Sequence, residues 1–263
     1  MGCVEGKVAL ISGGAEGIGA AAGAMIVAEG GSVMLADVQI DKAKAVAEKL
    51  GPQAAAISLD VRDLTQWEAA VRACVDRFGK LNILYNVAGI SEPGNVVDVA
   101  LDSWQRTIDI NLIGTFYGCR AALPAMEAAG EAGAIVNIGS MLAIRPGATF
   151  AAYSASKAGV QALTRTIALD CAARGVPIRA NLVHPGAIRT PMYDRYKYSG
   201  QADPDMIETQ FAATHPMNRI GEPEAVSYTH LDVYKRQRAC TRDRAGSPML
   251  DCLSGEHPGT ACP

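Results

Sequence analysis

The chain has 263 residues, 49% of them hydrophobic and 19% charged, with a formal net charge of −3 and a pI near 5.8. That length suits one α/β domain, the apolar content excludes a largely disordered chain, and the charge offers no positive field to nucleic acid or an anionic membrane surface, so a small molecule is the expected partner. The start, MGCVEGKVAL, lacks a basic segment followed by a long apolar one, and no apolar run approaches a membrane span, so a cytoplasmic protein is expected.

Residues 7–12 (KVALIS) form a short apolar run that reads as a first buried strand. It leads into Ser12-Gly13-Gly14-Ala15-Glu16-Gly17-Ile18-Gly19 and an Ala-rich periodic segment from Gly17 to Glu29. Glycines between a first strand and a first helix allow a tight turn and let a pyrophosphate approach the main chain and the helix N-terminus. A second strand, 32–36, ends at Asp37, whose carboxylate can accept hydrogen bonds from both hydroxyls of an adenosine ribose and would repel a 2′-phosphate. Glu16 adds a negative charge nearby, and no Arg or Lys occupies positions 15–17 or 38, so NAD is preferred over NADP. Asp37 also suits a plain turn or helix-cap role.

Helices are expected from Asp41 to Leu50, Thr65 to Phe78, Ser103 to Ala129 and Tyr153 to Arg174, with strands at 54–59, 81–85, 134–138 and 178–183. The alternation predicts a three-layer, Rossmann-type doubly wound parallel sheet in a single domain, with ligands at the carboxyl ends of the strands. Tyr153 and Lys157 stand four apart on one helical face, so an ammonium can lie beside a phenol and favour the phenolate. Alone, such a pair is an ordinary surface feature. Ser140, which ends the fifth strand 13 residues earlier, gives the pair a partner able to hold a substrate oxygen against the phenol.

These motifs resemble those of short-chain dehydrogenases/reductases over residues 4 to about 226. The resemblance rests on Ser12-Gly13-x-x-x-Gly17-Ile18-Gly19, Asp60-Val61, Asn86-Val87-Ala88-Gly89, Asn111, Ser140, Tyr153-x-x-x-Lys157, and Pro185-Gly186 followed by Thr190. It implies that Asp60 and Val61 contact the adenine, that Asn86, Ala88 and Gly89 support the cofactor and the central sheet, and that Asn111 holds a water in a proton relay to Lys157. Tyr153 would be the acid or base, Lys157 would also bind the nicotinamide ribose, and Ile188 and Thr190 would hold the carboxamide. Ser12 stands where Thr is usual, and Tyr85 where a first Asn is common. Asn86 and Asn111 also suit the satisfaction of buried backbone groups, and His184 reads as a structural or pocket-lining residue.

The stretch from Tyr153 to Met192 is similar to bacterial hydroxysteroid and cyclic secondary-alcohol dehydrogenases. Met192 to Met217 reads as a lid whose Met192, Tyr193, Tyr196, Met206, Ile207 and Phe211 either face a bulky apolar alcohol or ketone or pack on one another. No Arg or Lys is placed to bind an acyl carrier, which makes a 3-oxoacyl-thioester reductase the lesser reading. The seven cysteines contain no CxxC pair, and His215, His230 and His257 have no ligand spacing, so neither a metal site nor a disulfide framework is expected.

Residues 227–263 read differently, with scattered apolar positions, many turn formers and no run fit for a buried strand. We take residues 1–226 as the NAD-binding unit and 227–263 as an atypical tail arising from a frameshift, a chimeric join or read-through. Two outcomes are carried forward: an active NAD-dependent secondary-alcohol dehydrogenase, homo-oligomeric if the missing final strand is tolerated, or a cofactor-binding but inactive relative.

Overall fold

Six short aliphatic runs become parallel strands in the computed structural model, which describes residues 2–198 and 203–227. β1 (Val8–Ser12), β2 (Ser32–Asp37), β3 (Ala54–Ser58), β4 (Ile83–Asn86), β5 (Gly133–Ile138) and β6 (Ile178–Val183) lie in the order β3-β2-β1-β4-β5-β6. The connections are α1 (Gly17–Ala28), α2 (Ile40–Leu50), α3 (Leu64–Phe78), α4 (Leu101–Ile108), α5 (Gly114–Ala128) and α6 (Ala151–Ala173). After β6 come α7 (Pro191–Lys197) and α8 (Pro204–Ala213). This is the expected Rossmann-type architecture.

Alternation along each strand supplies both sides of the sheet. Leu10, Met34, Leu84 and Ile135 pack with Trp67 and Cys74 of α3, Met126 of α5 and Ile167 of α6. Ile11, Val33, Leu35, Tyr85 and Val136 face the opposite way, onto Ala22 and Ile26 of α1 and Ala43 and Ala47 of α2. Covered on both faces, the strands have no polar side to show, which is why each reads as an unbroken apolar run. The chain winds outward from β1 to β3, then crosses to β4, so the crevice where strand order reverses opens between β1 and β4.

The expected helix from Ser103 to Ala129 is instead two helices joined by a π-helical turn at Asp109–Ile113, with Asn111 inside it. Such wide turns concentrate at functional sites. The last long helix starts at Ala151, two residues earlier than expected, which puts Tyr153 in its first turn.

At the opposite end of the sheet, Glu131 accepts from Lys7 Nζ, from Lys80 Nζ (2.7 Å) and from Asn82 Nδ2 (3.3 Å), while Asn82 Oδ1 accepts from Val8 N. Hydrogen bonds from the two lysines hold the Glu131 carboxyl down to about 2, against an ordinary value of 4.5. A lowered carboxylate pKa stabilises the fold above the unfolded value and loses that contribution as pH falls through the folded one. Glu131→Gln is therefore expected to lower Tm by about 2 °C at pH 7, a small effect because the group is partly solvated. In melts between pH 6 and 2 the difference from the parent should shrink below pH 4.5 and be largely gone at 2.

Candidate active site

The loop after β1 is shaped by contacts that exclude side chains. Gly13 has φ +73°, and a Cβ there would lie 2.7 Å from Ala88 N; a Cβ on Gly19 would lie 2.0 Å from Gly13 O. The loop is fixed to its neighbouring strands by Gly13 N and Gly14 N donating to Ala36 O, and by Val87 N and Ala88 N donating to Ser12 O. The residue preceding α1, Glu16, makes no capping bond with its side chain, and the first turn of α1 carries no acidic residue. Its opening amides, including those of Ile18 and Gly19, are thus left to a ligand, as a pyrophosphate requires.

Asp37 is buried at the end of β2, accepting from Ala15 N (3.1 Å) and Gln39 N (2.9 Å). It ties the glycine loop to the start of α2 and retains lone pairs for further donors. Glu16 pairs with Lys42 Nζ (2.9 Å) and lies 3.7 Å from Arg195 Nη1, so each of these two cations already faces a carboxylate. Asp60 is held below the usual carboxylate range chiefly by a side-chain hydrogen bond from Arg62, and its own N–H donates to Gln66. Val61 is buried against Gly114, and its carbonyl accepts from Trp67 Nε1. The Asn86 side chain points into the sheet, donating to Asn137 Oδ1 (2.8 Å), which in turn links through Asn137 Nδ2 to Thr164 Oγ1 (2.9 Å).

Four candidate residues meet at the carboxyl ends of β4 and β5. Asn111, fully buried, accepts from Ile90 N (2.8 Å) and donates to Ile90 O (2.9 Å) and Ser156 Oγ (3.0 Å); Ser156 Oγ in turn donates to Tyr153 O (2.7 Å). Both amide hydrogens of Asn111 are thereby used. Lys157 Nζ donates to Ile138 O (2.9 Å) and lies 5.8 Å from the centre of the Tyr153 ring. Its other two N–H donors have no protein acceptor among the described residues. Burial lowers Lys157 to about 8. Burial raises Tyr153, and a side-chain hydrogen bond with Ser140 opposes that rise. A Cβ on Gly89 would lie 3.2 Å from Asn111 Oδ1 and 3.5 Å from Lys157 Nζ, so this glycine leaves open the space in front of both.

The loop after β6 closes the other side. Thr190 caps α7 by accepting from Tyr193 N, and a Cβ on Gly17 would come within 3.3 Å of Thr190 Cγ2, which brings the two loops together. Ile188 pairs with Gly221 in an isolated parallel bridge, and Pro185 O accepts from Met141 N. Sequence reasoning passed over His215: its Nε2 accepts from Ala187 N (3.0 Å) while Nδ1 donates to Phe211 O (2.9 Å). A Cβ on Gly186 would lie 2.2 Å from His215 Nε2. The histidine thus fastens the end of α8 to the loop, a contact without any local spacing signal. Across α7 and α8, the Tyr196 ring lies tilted beside Phe150 (5.7 Å) and edge-on to Phe211 (5.5 Å), and Tyr193 meets Phe211 edge-on (5.7 Å). Arg189 in the loop after β6 and Lys197 of α7 share Glu208 of α8.

Residues 7–199 match the family described as short chain dehydrogenase. The trans-4-hydroxycyclohexanecarboxylate dehydrogenase of Sinomonas cyclohexanicum is 46% identical over 72% of this chain and 75% of its own. The 3-alpha-(or 20-beta)-hydroxysteroid dehydrogenase of Mycobacterium bovis is 44% identical over 72% of each chain. The ligand-free structure of the aldohexose dehydrogenase of Thermoplasma acidophilum superposes with a TM-score of 0.80 at 29% identity, covering 90% of both chains.

Proposed function

The chain belongs to the short-chain dehydrogenase family, enzymes that use a nicotinamide cofactor and act on hydroxyl groups, and from that premise we propose that it is an NAD-dependent dehydrogenase of cyclic secondary alcohols. The observation that carries this reading is the placing of Lys157 Nζ 5.8 Å from the centre of the buried Tyr153 ring, with Ser140 at the end of β5 near enough to hold the phenol's pKa down against burial. When bound, NAD supplies the site that accepts hydride from the alcohol carbon. In oxidation the Tyr153 phenolate takes the hydroxyl proton and Ser140 Oγ holds the substrate oxygen. Tyr153 lies in the first turn of α6, where unsatisfied N–H groups favour negative charge. The Lys157 ammonium does the same from one turn further on.

Gly13, Gly17, Ile18 and Gly19 would hold the pyrophosphate, Asp37 the adenosine ribose, Asp60 and Val61 the adenine, and Lys157 the nicotinamide ribose. Ala88 and Gly89 would line the crevice floor, with Asn86 supporting the sheet beneath. Pro185, Gly186, Ile188 and Thr190 would hold the carboxamide. With its side-chain hydrogens committed to Ile90 and Ser156, Asn111 would support a relay water through its main-chain carbonyl. The Phe150, Tyr196 and Phe211 surface suits a saturated ring, and the two curated relatives are named for a cyclohexane derivative and a hydroxysteroid. We further take residues 1–226 as the dehydrogenase unit, a homo-oligomer in the cytoplasm. The proposed origin of the tail concerns residues 227–263, of which all but Ser227 lie outside the described residues.

The test is NADH formation at alkaline pH from cyclohexanol, trans-4-hydroxycyclohexanecarboxylate and 3α-hydroxysteroids, with NADP in parallel. Turnover with NAD on a cyclic alcohol is expected; NADH binding without turnover on any of them would overturn the reading in favour of an inactive relative. Asp37→Ser is expected to shift the kcat/KM ratio about 100-fold toward NADP, since it removes the charge that repels the 2′-phosphate and the acceptor for the ribose. A parent enzyme that already prefers NADP would refute the role given to Asp37.

A further inference from the structure

We infer that His184 is a positioning residue for Ser140: its Nδ1–H donates to the Ser140 carbonyl and fixes the orientation in which the serine hydroxyl meets Tyr153. This rests on the reading of Ser140 and Tyr153 as the groups that meet the substrate oxygen. Nδ1 lies 2.7 Å from Ser140 O and 3.2 Å from Ser140 N. One ring nitrogen cannot donate to the first and accept from the second at once, and the shorter contact selects the tautomer with hydrogen on Nδ1.

The backbone on either side shows what the imidazole adds here, a tie between Ser140 and the β6 side. The ladder between β5 and β6 ends at Ile138 and Val183. Beyond it, Gly139 N donates to Val183 O (2.7 Å) and Met141 N to Pro185 O (3.0 Å). Pro185 has no N–H to return to Gly139 O, so the ladder stops there. Ser140 sits between these two bonds; its carbonyl accepts from Ala143 N (3.0 Å) within its own turn, and among the described residues the group from the β6 side recorded against it is the His184 imidazole (2.7 Å). Gly139 makes the approach possible, because a Cβ there would lie 2.7 Å from His184 Nδ1 and 2.9 Å from its Cε1.

Ser140 has little freedom once its peptide is held. Its Oγ accepts from Leu142 N (3.1 Å), capping the short turn at Met141–Ala143, and the hydroxyl hydrogen stays available for the phenol. Rotation of the Ser140 peptide would carry Oγ away from Tyr153, and misplacement by about 1 Å costs on the order of 100-fold in rate. Among the described residues, the groups that face the phenol are Ser140 from the end of β5 and Lys157 from its own helix. The Ser140 hydrogen bond lowers the Tyr153 pKa, so its loss should raise it.

The experiment compares His184→Ala, His184→Asn and His184→Gln with the parent, by steady-state oxidation of cyclohexanol and by NMR titration of the cofactor-free chain carrying ring-labelled 13C-tyrosine. Tyr153→Phe assigns the resonance. An Asn amide places an N–H near the Nδ1 position, whereas a Gln amide reaches the Nε2 position. Expected for His184→Ala and His184→Gln are a Tyr153 titration at higher pH and a fall in kcat of about 10-fold or more, with NADH affinity unchanged. His184→Asn should stay close to the parent in both. If the alanine variant does not fold, the Asn and Gln pair still decides. Parent-like titration in His184→Gln, or equal damage in Asn and Gln, would overturn the inference. Should Tyr153→Phe retain turnover, the catalytic reading fails instead, and the titration still reports whether His184 holds the serine.

Discussion

Tyr153→Phe is expected to lower kcat for alcohol oxidation by about 1,000-fold while leaving NADH affinity within about two-fold of the parent. The substitution removes one oxygen and keeps the ring, so the packing of the first turn of α6 and the position of Lys157 survive. What disappears is the atom proposed to take the substrate proton. Among the described residues its neighbours are poor replacements: Ser140 is a far weaker base, and Lys157 Nζ is committed to Ile138 O. Stopped-flow NADH binding alongside steady-state turnover checks both halves. A variant that keeps more than about a tenth of the activity would show that the proton goes elsewhere.

Gly19→Ala is expected to weaken NADH binding by about 100-fold or more and to lower the melting temperature as well. The added Cβ would lie 2.0 Å from the main-chain oxygen of Gly13, well inside van der Waals contact, with no flexible side chain to yield. Relief requires Gly13 to move, but Gly13 N is bonded to Ala36 O and its Cα faces Ala88. The loop would open away from β4 and misdirect the amides at the start of α1, the proposed source of the pyrophosphate's hydrogen bonds and of its interaction with the helix dipole. Fluorescence titration with NADH and a thermal melt report the two effects separately. Unchanged affinity would mean that the pyrophosphate does not use this turn.

Much of this was legible before any coordinates. Each of the six strands lies within about two residues of its apolar run, and the alternation of strand and helix implied parallel pairing, because short connections through a helix permit little else. Tyr153 and Lys157 share a helical face at a spacing of four, and Ser140 follows a strand that must lie beside that helix. The helix 103–129 was misread as continuous because its composition is uniformly helical; the turn that widens it at Asn111 is accompanied by bonds from the asparagine side chain to Ile90, 21 residues away.

The sequence by itself determined the order of elements, the glycine turn, the acidic residue ending β2 and the proximity of tyrosine to lysine, because each depends on backbone geometry repeating over a few residues. Only the tertiary structure decided which side chains grip the active-site loops: His184 on Ser140, His215 on Ala187, Glu16 between Lys42 and Arg195, and Asn86 on Asn137. These pairs lie 26 to 179 positions apart, and a hydrogen bond between such groups leaves no period in the chain. It exists because parallel strands laid side by side bring their carboxyl ends, and the loops that leave them, to one edge of the sheet.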